Sequence, residues 1–210
     1  MKSFFLLLFL SISHFGSAQK IFSEGTITYQ VVTFINGQSI PGEVKSTQSV
    51  KGAHTRVELS NSMGKTTTIY DSRDGEGAIL RDFGSQKIMI PFTKVEMESK
   101  NKKYDQLVFE YSDQAKEIVG YQCRKATAQL ADGTKIEVYF SKDLISDNTD
   151  IGFQFGRIPG LALEFTSTNA NATVTYTASS ISFDPIPIQL FDLPSSGYRI
   201  LSYEESQKKK

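Results

Sequence analysis

The sequence is poor in histidine, the side chain that most often binds zinc and acts as a general base. Only two histidines occur among 210 residues, and His14 lies in an N-terminal stretch that we expect to be removed. His54 would then remain alone, which excludes a zinc site of two or three imidazoles and leaves a Ser-His-Asp triad a single candidate base. Alternation along its segment puts His54 with Arg56 on the face opposite Val57 and Leu59, so we expect it to face solvent.

Cysteine is equally scarce. Cys123 is the only one, so the chain cannot form an intramolecular disulfide bond. It alternates with Val119 and Tyr121, which indicates an inward-facing strand position. A buried cysteine behaves as a small hydrophobic residue and not as a nucleophile. We therefore expect no Cys–His catalytic pair, and a fold that is stabilised by packing and sheet hydrogen bonds.

The chain has no excess of either charge, since 23 basic and 23 acidic residues give a formal net charge of zero. A nucleic-acid-binding domain normally shows a basic excess or stripe, and the one basic cluster here is the terminal run 208–210. The glycine-rich patterns of phosphate-binding loops are absent, and the acidic loops lack the spacing of a calcium loop. The sequence predicts no cofactor, no metal and no nucleic-acid partner.

Long hydrophobic runs are limited to one, at the N-terminus. Lys2 is followed by an apolar core over 3–15 and by three small residues, 16–18, which is the pattern of a secretory signal peptide. The run is shorter than the roughly 20 apolar residues that a bilayer-spanning helix needs. We predict cleavage between Ala18 and Gln19.

The remaining sequence has the length and continuity of one domain. We predict a signal peptide over 1–18, a single domain over 19–205 and a frayed basic tail over 206–210. The mature protein is expected to be exported to the periplasm or the extracellular medium, and not to be an integral membrane protein.

Apolar and polar side chains alternate along much of the mature chain, which is typical of strands with one buried face. Clear examples are 25–31 and 134–140, and turn pairs such as Asn36-Gly37 separate such stretches. Residues 93–105 fit a short helix or an exposed loop equally well. Short connections favour antiparallel neighbours. The sequence predicts a mainly β fold with minor α content, built as one antiparallel sheet of about nine or ten strands.

Three segments, in this order, resemble the GLPGLI family of exported bacterial domains. Residues 118–126 (IVGYQCRKA) are similar to its I-x-G-Y-x-C-x-K-A strand, residues 156–164 (GRIPGLALE) to the motif that names it, and residues 191–198 (FDLPSSGY) to its ending. The second and third segments each carry one additional residue. The matching positions are Gly120, Tyr121, Cys123, Lys125, Gly156, Ile158, Pro159, Gly160, Leu161, Leu193, Pro194, Gly197 and Tyr198.

The resemblance implies a fold similar to the LolA-type lipoprotein carriers, in which a single curved antiparallel sheet forms an open half-barrel around an apolar cavity. It also implies export in a Gram-negative bacterium, and it implies no established activity. In the residues themselves, Gly156, Pro159 and Gly160 suit tight turns before a strand better than a binding loop.

Three functions remain open at this point. A curved sheet that its own side chains do not fill leaves a pocket, so the first is non-catalytic binding of an apolar or amphipathic ligand such as a lipid or acyl chain. The second is a structural or protein-interaction module that uses an exposed sheet edge. The third is a carboxylate-based hydrolase, for which no pair of acidic residues stands out. We expect the first, with no catalytic residues and with this candidate cavity lining: Ile27, Tyr29, Val31, Ile136, Val138 and Phe140.

Overall fold

The computed structural model describes residues 19–146 and 155–208. The predicted signal peptide, including Ala18, and the last two lysines of the predicted tail lie outside the described residues. The described chain forms 15 strands and two short α-helices. The strand number exceeds the nine or ten expected, whereas the mainly β class is confirmed.

The secondary structure is dominated by strands throughout. The strands are β1 (Lys20–Ile21), β2 (Glu24–Ile35), β3 (Gln38–Ser39), β4 (Val44–Lys51), β5 (His54–Asn61), β6 (Gly64–Asp71), β7 (Glu76–Phe83), β8 (Gln86–Phe92), β9 (Glu110–Ile118), β10 (Tyr121–Gln129), β11 (Lys135–Ser141), β12 (Leu144–Ile145), β13 (Leu161–Thr168), β14 (Ala172–Ser182) and β15 (Arg199–Ile200). The helices are α1 (Lys94–Asn101) and α2 (Tyr203–Gln207), with 3₁₀ turns at Lys102–Tyr104 and Ile188–Phe191.

One large curved sheet contains thirteen of these strands. Its order is β15-β8-β7-β6-β5-β4-β2-β14-β13-β11-β10-β9, and β3 pairs with the end of β2. Neighbours are antiparallel except β15 and β8, and β1 and β12 form a separate parallel pair. Within the described residues the sheet is not closed into a barrel, because β15 and β9 each have one neighbour in it.

The hairpin turns follow from the residues that occupy them. Asn36 and Gly37 between β2 and β3 both have positive φ, 51° and 80°, which is what a type I′ turn requires and Asn-Gly supplies. The turn between β9 and β10 is Val119-Gly120, again with positive φ at both positions. Ile118 therefore ends one strand and Tyr121 begins the next, so the segment 118–126, which resembles one strand of the GLPGLI family, contains a turn.

Local contacts explain the secondary structure of two further segments. Thr93 caps α1 in a capping box with Glu96, and Met97 of this helix is buried against the sheet, so residues 94–101 are helical. Leu144–Ile145 forms a short strand because it pairs with β1.

β9 is the strand that the sequence did not reveal. It is an edge strand in which most residues are exposed. Its residues, EYSDQAKEI, do not alternate between apolar and polar types, because neither face of this strand is covered along most of its length.

The two faces of the sheet are buried differently. The outer face of β6 and β7 carries Ile69, Ala78 and Leu80, and the C-terminal segment covers it with Ile186 and Phe191. The opposite, inner face carries Tyr29, Gln48, Val57 and Thr68, which the strand register places on one side. At one end of this inner face α1 packs on β8, and at the other end residues 155–158 pack on β11. The middle of the inner face stays open.

Candidate functional site

An open groove with a volume of about 610 Å³ occupies the middle of the inner face. One side is formed by β4, β5 and β6, the other by β13, β14 and the segment 155–160, and Tyr29 of β2 lies between them. The volume falls within the roughly 300–1,000 Å³ that is usual for small-molecule sites.

Strand register builds the first side as two cross-strand rows. Gln48, Val57 and Thr68 are direct neighbours in one row across β4, β5 and β6. Ser46, Leu59 and Thr66 form the next row. Each row is polar at its two ends and aliphatic in the middle.

Aromatic and aliphatic side chains form the second side. The rings of Phe165 and Tyr176 are stacked, with centroids 4.5 Å apart and planes at 14°, and Phe155 lies against Phe165 at 4.8 Å. Val174 and Ser167 are the next register pair toward the strand ends. Burial raises the pKa of the Tyr176 phenol, so its hydroxyl stays a neutral donor.

The segment 155–160 closes one end of the groove and depends on a glycine. A Cβ on Gly160 would lie 2.1 Å from the carbonyl oxygen of Ser141, closer than real atoms approach, so only glycine fits. Ile158 is buried under the same segment and donates its backbone N–H to the Phe155 carbonyl at 3.0 Å. Leu161 and Ala162 then begin β13 at the groove wall.

Four polar side chains of the groove have no hydrogen-bond partner among the described residues, whereas Tyr29 donates to the Ala162 carbonyl and Ser146 to the Phe22 carbonyl. Ser46 is 5% exposed and Gln48 is 9% exposed, and both line the groove. Neither side chain, nor that of Thr66 or Thr68, hydrogen-bonds to any residue in 19–146 or 155–208. Buried polar groups in folded proteins are normally hydrogen-bonded, so these groups are available to water or to a ligand.

The groove is also uncharged. Among the described residues its lining includes no Asp, Glu, Lys, Arg or His side chain. The same part of the chain holds no group of three His, Cys, Asp or Glu side chains that could bind a metal ion. What remains chemically is a surface of aromatic rings, aliphatic side chains, hydroxyls and one amide.

The structure places the six predicted lining residues in two environments. Tyr29 lines the groove. The other five do not line it and are packed core residues: Ile27, Val31, Ile136, Val138 and Phe140 are each less than 10% exposed. On β11 the physical reason is that Phe155 and Ile158 pack over the inward side chains, and on β2 Ile27 is covered in a separate cluster that contains Phe22. Part of the lining that the sequence missed lies on β4 and β6, where the inward residues are polar and give no apolar alternation, and the rest lies on β5, β13, β14 and the segment 155–160.

The family-motif residues are divided among three places. Gly156, Ile158, Gly160 and Leu161 lie at the groove, with exposed Pro159 among them. Gly156 and Gly160 therefore lie both in the turns before β13 and at the groove.

The motif residues of 120–125 lie in and around the β9–β10 hairpin. Gly120 supplies the positive φ of the turn, and Tyr121 packs against a buried cluster that contains Cys123. Cys123 is fully buried, as predicted, and burial raises the pKa of its thiol to about 11. The ammonium of Lys125 is 2.6 Å from the Glu137 carboxylate.

The last motif residues lie in the C-terminal segment on the outer side of the sheet. Tyr198 packs against the Ile69 cluster, and Gly197 has a positive φ of 81°. Leu193 is 45% exposed and Pro194 is half-buried. None of these residues lines the groove.

His54 faces away from Val57, as predicted, but the prediction that it faces solvent is wrong. The Asp71 carboxylate is 3.3 Å from its Nδ1 atom, and an Arg73 nitrogen is 3.2 Å from its Nε2 atom. The Phe191 ring lies against the imidazole with centroids 5.6 Å apart. The C-terminal segment covers this part of the outer face, which strand alternation alone does not show.

None of the described helices is long and apolar enough to cross a membrane.

No protein-family model and no curated protein matches the sequence. Membership of the GLPGLI family is therefore not shown and stays a prediction. Among solved structures the chain is similar to PNGF-II, with 15% identity, a TM-score of 0.46, and coverage of 85% of this chain and 31% of that one. The chain thus spans about a third of the length of PNGF-II.

Two further solved structures match most of their own length. An uncharacterised conserved protein of Thermus thermophilus has 9% identity, a TM-score of 0.51, and coverage of 86% of this chain and 91% of that one. An outer membrane lipoprotein-sorting protein domain of Vibrio parahaemolyticus has 11% identity, a TM-score of 0.39, and coverage of 85% and 91%. At these identities the likeness concerns the fold alone.

Proposed function

We propose that this chain is a non-catalytic binding protein of the cell envelope, and that its groove takes an apolar or amphipathic ligand such as a lipid or acyl chain. The observation that carries the proposal is an open groove walled by stacked Phe165 and Tyr176 and by the aliphatic Val57 and Leu59. Apolar surface that remains accessible in a preformed groove gains free energy when a ligand covers it, roughly 25 cal/mol per Å².

The chemistry of the lining supports binding over catalysis. In the described residues the groove offers no carboxylate pair, no imidazole and no thiol, whereas acid–base or nucleophilic catalysis needs such groups within reach of a substrate. The fully buried Cys123 and the partnered His54 lie elsewhere. The envelope location rests on the signal-peptide pattern that ends at Ala18.

The groove can be tested with N-phenyl-1-naphthylamine, a neutral fluorophore that brightens in apolar surroundings. Val57→Lys puts an ammonium group in the centre of the groove, where desolvation disfavours charge. We expect it to weaken probe binding by at least about tenfold. Val32→Lys is the matched control, because Val32 is 46% exposed on the opposite face of β2. Equal binding by both variants, or no binding by the wild type, would remove the proposal.

A second candidate is a protein-interaction module, favoured by the open edge of β9. This strand is nine residues long, mostly exposed, and has a sheet neighbour on one side, so its free backbone groups can pair with another strand. Sedimentation of the wild type and of Gln114→Pro tests this candidate. An assembly that the wild type forms and Gln114→Pro does not form would favour the edge. Two monomeric proteins would count against it.

A further inference from the structure

The polar side chains and the aromatic side chains of the groove lie on different sides. Ser46, Gln48, Thr66 and Thr68 lie on the β4–β6 side, whereas Phe165 and Tyr176 lie on the β13–β14 side. On one flank a ligand in the groove meets hydroxyls and an amide at the ends of two rows that have Val57 and Leu59 in the middle, and on the other flank it meets aromatic rings.

The amide of Gln48 is the strongest indication of what the polar flank contacts. The residue is 9% exposed and its side chain hydrogen-bonds to no described residue. An amide offers two N–H donors and one acceptor oxygen, and leaving such groups unpaired when a ligand displaces water has a free-energy cost. A wholly hydrocarbon ligand would impose that cost, so the ligand must return hydrogen bonds to this flank.

The absence of charge on the described lining limits the polar part of that ligand. A buried carboxylate, sulfate or ammonium group needs an opposite charge to offset its desolvation, and no charged side chain lines the groove in 19–146 or 155–208. The next residue of the Thr66 row is Arg81 on β7, which is exposed and lies outside the groove.

Two other uncharged ligand classes fit less well. The groove wall is a sheet face whose backbone groups are engaged in the strand ladder, so it offers few partners to a peptide, which carries a donor and an acceptor in nearly every residue. A sugar can stack its C–H face on Phe165 and Tyr176, but Val57 and Leu59 in the middle of the opposite flank give its ring hydroxyls no hydrogen-bond partner.

We propose that the groove selects an uncharged acyl ester, in which the chain lies against Phe165 and Tyr176 and the ester or glycerol oxygens meet Gln48 and its polar neighbours. This inference rests on the proposed function and specifies its ligand class. It distinguishes neutral acylglycerols from free fatty acids and other singly charged amphiphiles with the same chain.

Displacement of N-phenyl-1-naphthylamine tests it with three competitors of equal chain length, each below its critical micelle concentration. They are monopalmitoylglycerol, hexadecyl sulfate and hexadecyltrimethylammonium. We expect monopalmitoylglycerol to bind at least about tenfold more tightly than either charged amphiphile, the factor that corresponds to about 1.4 kcal/mol. In Gln48→Leu the preference for the neutral ester should fall several-fold, while Gln30→Leu, on the exposed outer face of β2, should keep it.

The outcomes separate the two proposals. If the probe binds and a charged amphiphile competes as well as monopalmitoylglycerol, the ester selectivity is overturned and the binding function stands. An unchanged preference in Gln48→Leu also overturns it. If neither the probe nor any amphiphile binds the wild type, the binding function itself is overturned.

Discussion

The hydroxyl of Tyr29 donates a hydrogen bond to the carbonyl oxygen of Ala162 at 2.9 Å, joining two strands that are 133 residues apart in the sequence. β2 and β13 are not sheet neighbours, since β14 lies between them. The bond therefore crosses β14 on the inner face and joins the middle of the groove to its β13 side. Burial raises the pKa of the Tyr29 phenol well above its usual value, so the donor proton is retained.

Tyr29→Phe should destabilise the fold, because it leaves the Ala162 carbonyl without this donor. A lost partner for a buried acceptor costs about 1–3 kcal/mol, which urea unfolding monitored by circular dichroism can measure. Tyr111→Phe is the control, since Tyr111 is 56% exposed. An equal free energy of unfolding for the wild type and Tyr29→Phe would show that the bond contributes nothing.

Cys123 should resist thiol reagents in the native protein. With a pKa near 11, roughly one thiol in a thousand is ionised at about pH 8, and the thiolate is the reactive form. Labelling by iodoacetamide should therefore be slow in buffer and fast in urea. Comparable rates in the two solutions would contradict the burial of this side chain.

The Glu24 carboxylate should make the stability of the fold depend on pH. It accepts hydrogen bonds from the Lys51 ammonium at 2.5 Å and from the Ile186 backbone N–H at 2.7 Å, and these lower its pKa from the usual 4.5. The folded pKa is below the unfolded one, so the stabilisation is present above about pH 4.5 and is lost as the pH falls through the folded value.

Glu24→Gln isolates this dependence. The difference in unfolding free energy between the wild type and Glu24→Gln should be largest near about pH 7 and should shrink as the pH falls below about 4.5. Urea titrations across that range measure it. Glu43→Gln, at a surface ion pair with Lys45, should behave as the wild type does. A difference that does not vary with pH would exclude the ionic role of Glu24.

Gly160→Ala should displace the segment that closes one end of the groove. The added methyl group meets the Ser141 carbonyl oxygen, and overpacking of this kind costs about 1–3 kcal/mol. We expect both a lower unfolding midpoint and weaker binding of N-phenyl-1-naphthylamine. A variant with wild-type stability would show that the segment can move aside freely.

The alternation of apolar and polar residues predicted the sheet and some of the inward residues of the groove. It did not predict the inward residues that are polar. Tyr29, Val57 and Leu59 were identified as inward because each follows an apolar–polar rhythm. Ser46 and Gln48 were missed because they are polar residues on the inward face, whereas alternation marks apolar residues as inward. Their positions become visible only through the register of β4 with β5.

Tertiary covering explains the remaining differences. His54 lies on the face that alternation gives, yet Phe191 of the distant C-terminal segment packs on it. Val138 points inward on β11, but Phe155 and Ile158 cover that strand and convert a predicted lining position into core. The packing of segments far apart in sequence determines which part of an inward face stays open, and a single sequence carries no periodic signal for it.

Photo-crosslinking tests the central claim most directly. A monoacylglycerol with a diazirine in its chain, irradiated with the protein and mapped by peptide mass spectrometry, reports where the chain lies. The account predicts labels on β5, β13 and β14 at residues such as Val57, Phe165 and Tyr176, which unlabelled monopalmitoylglycerol should suppress. Labels on the exposed outer residues Ile188 and Leu193, or labels that competition leaves unchanged, would contradict a ligand site in the groove.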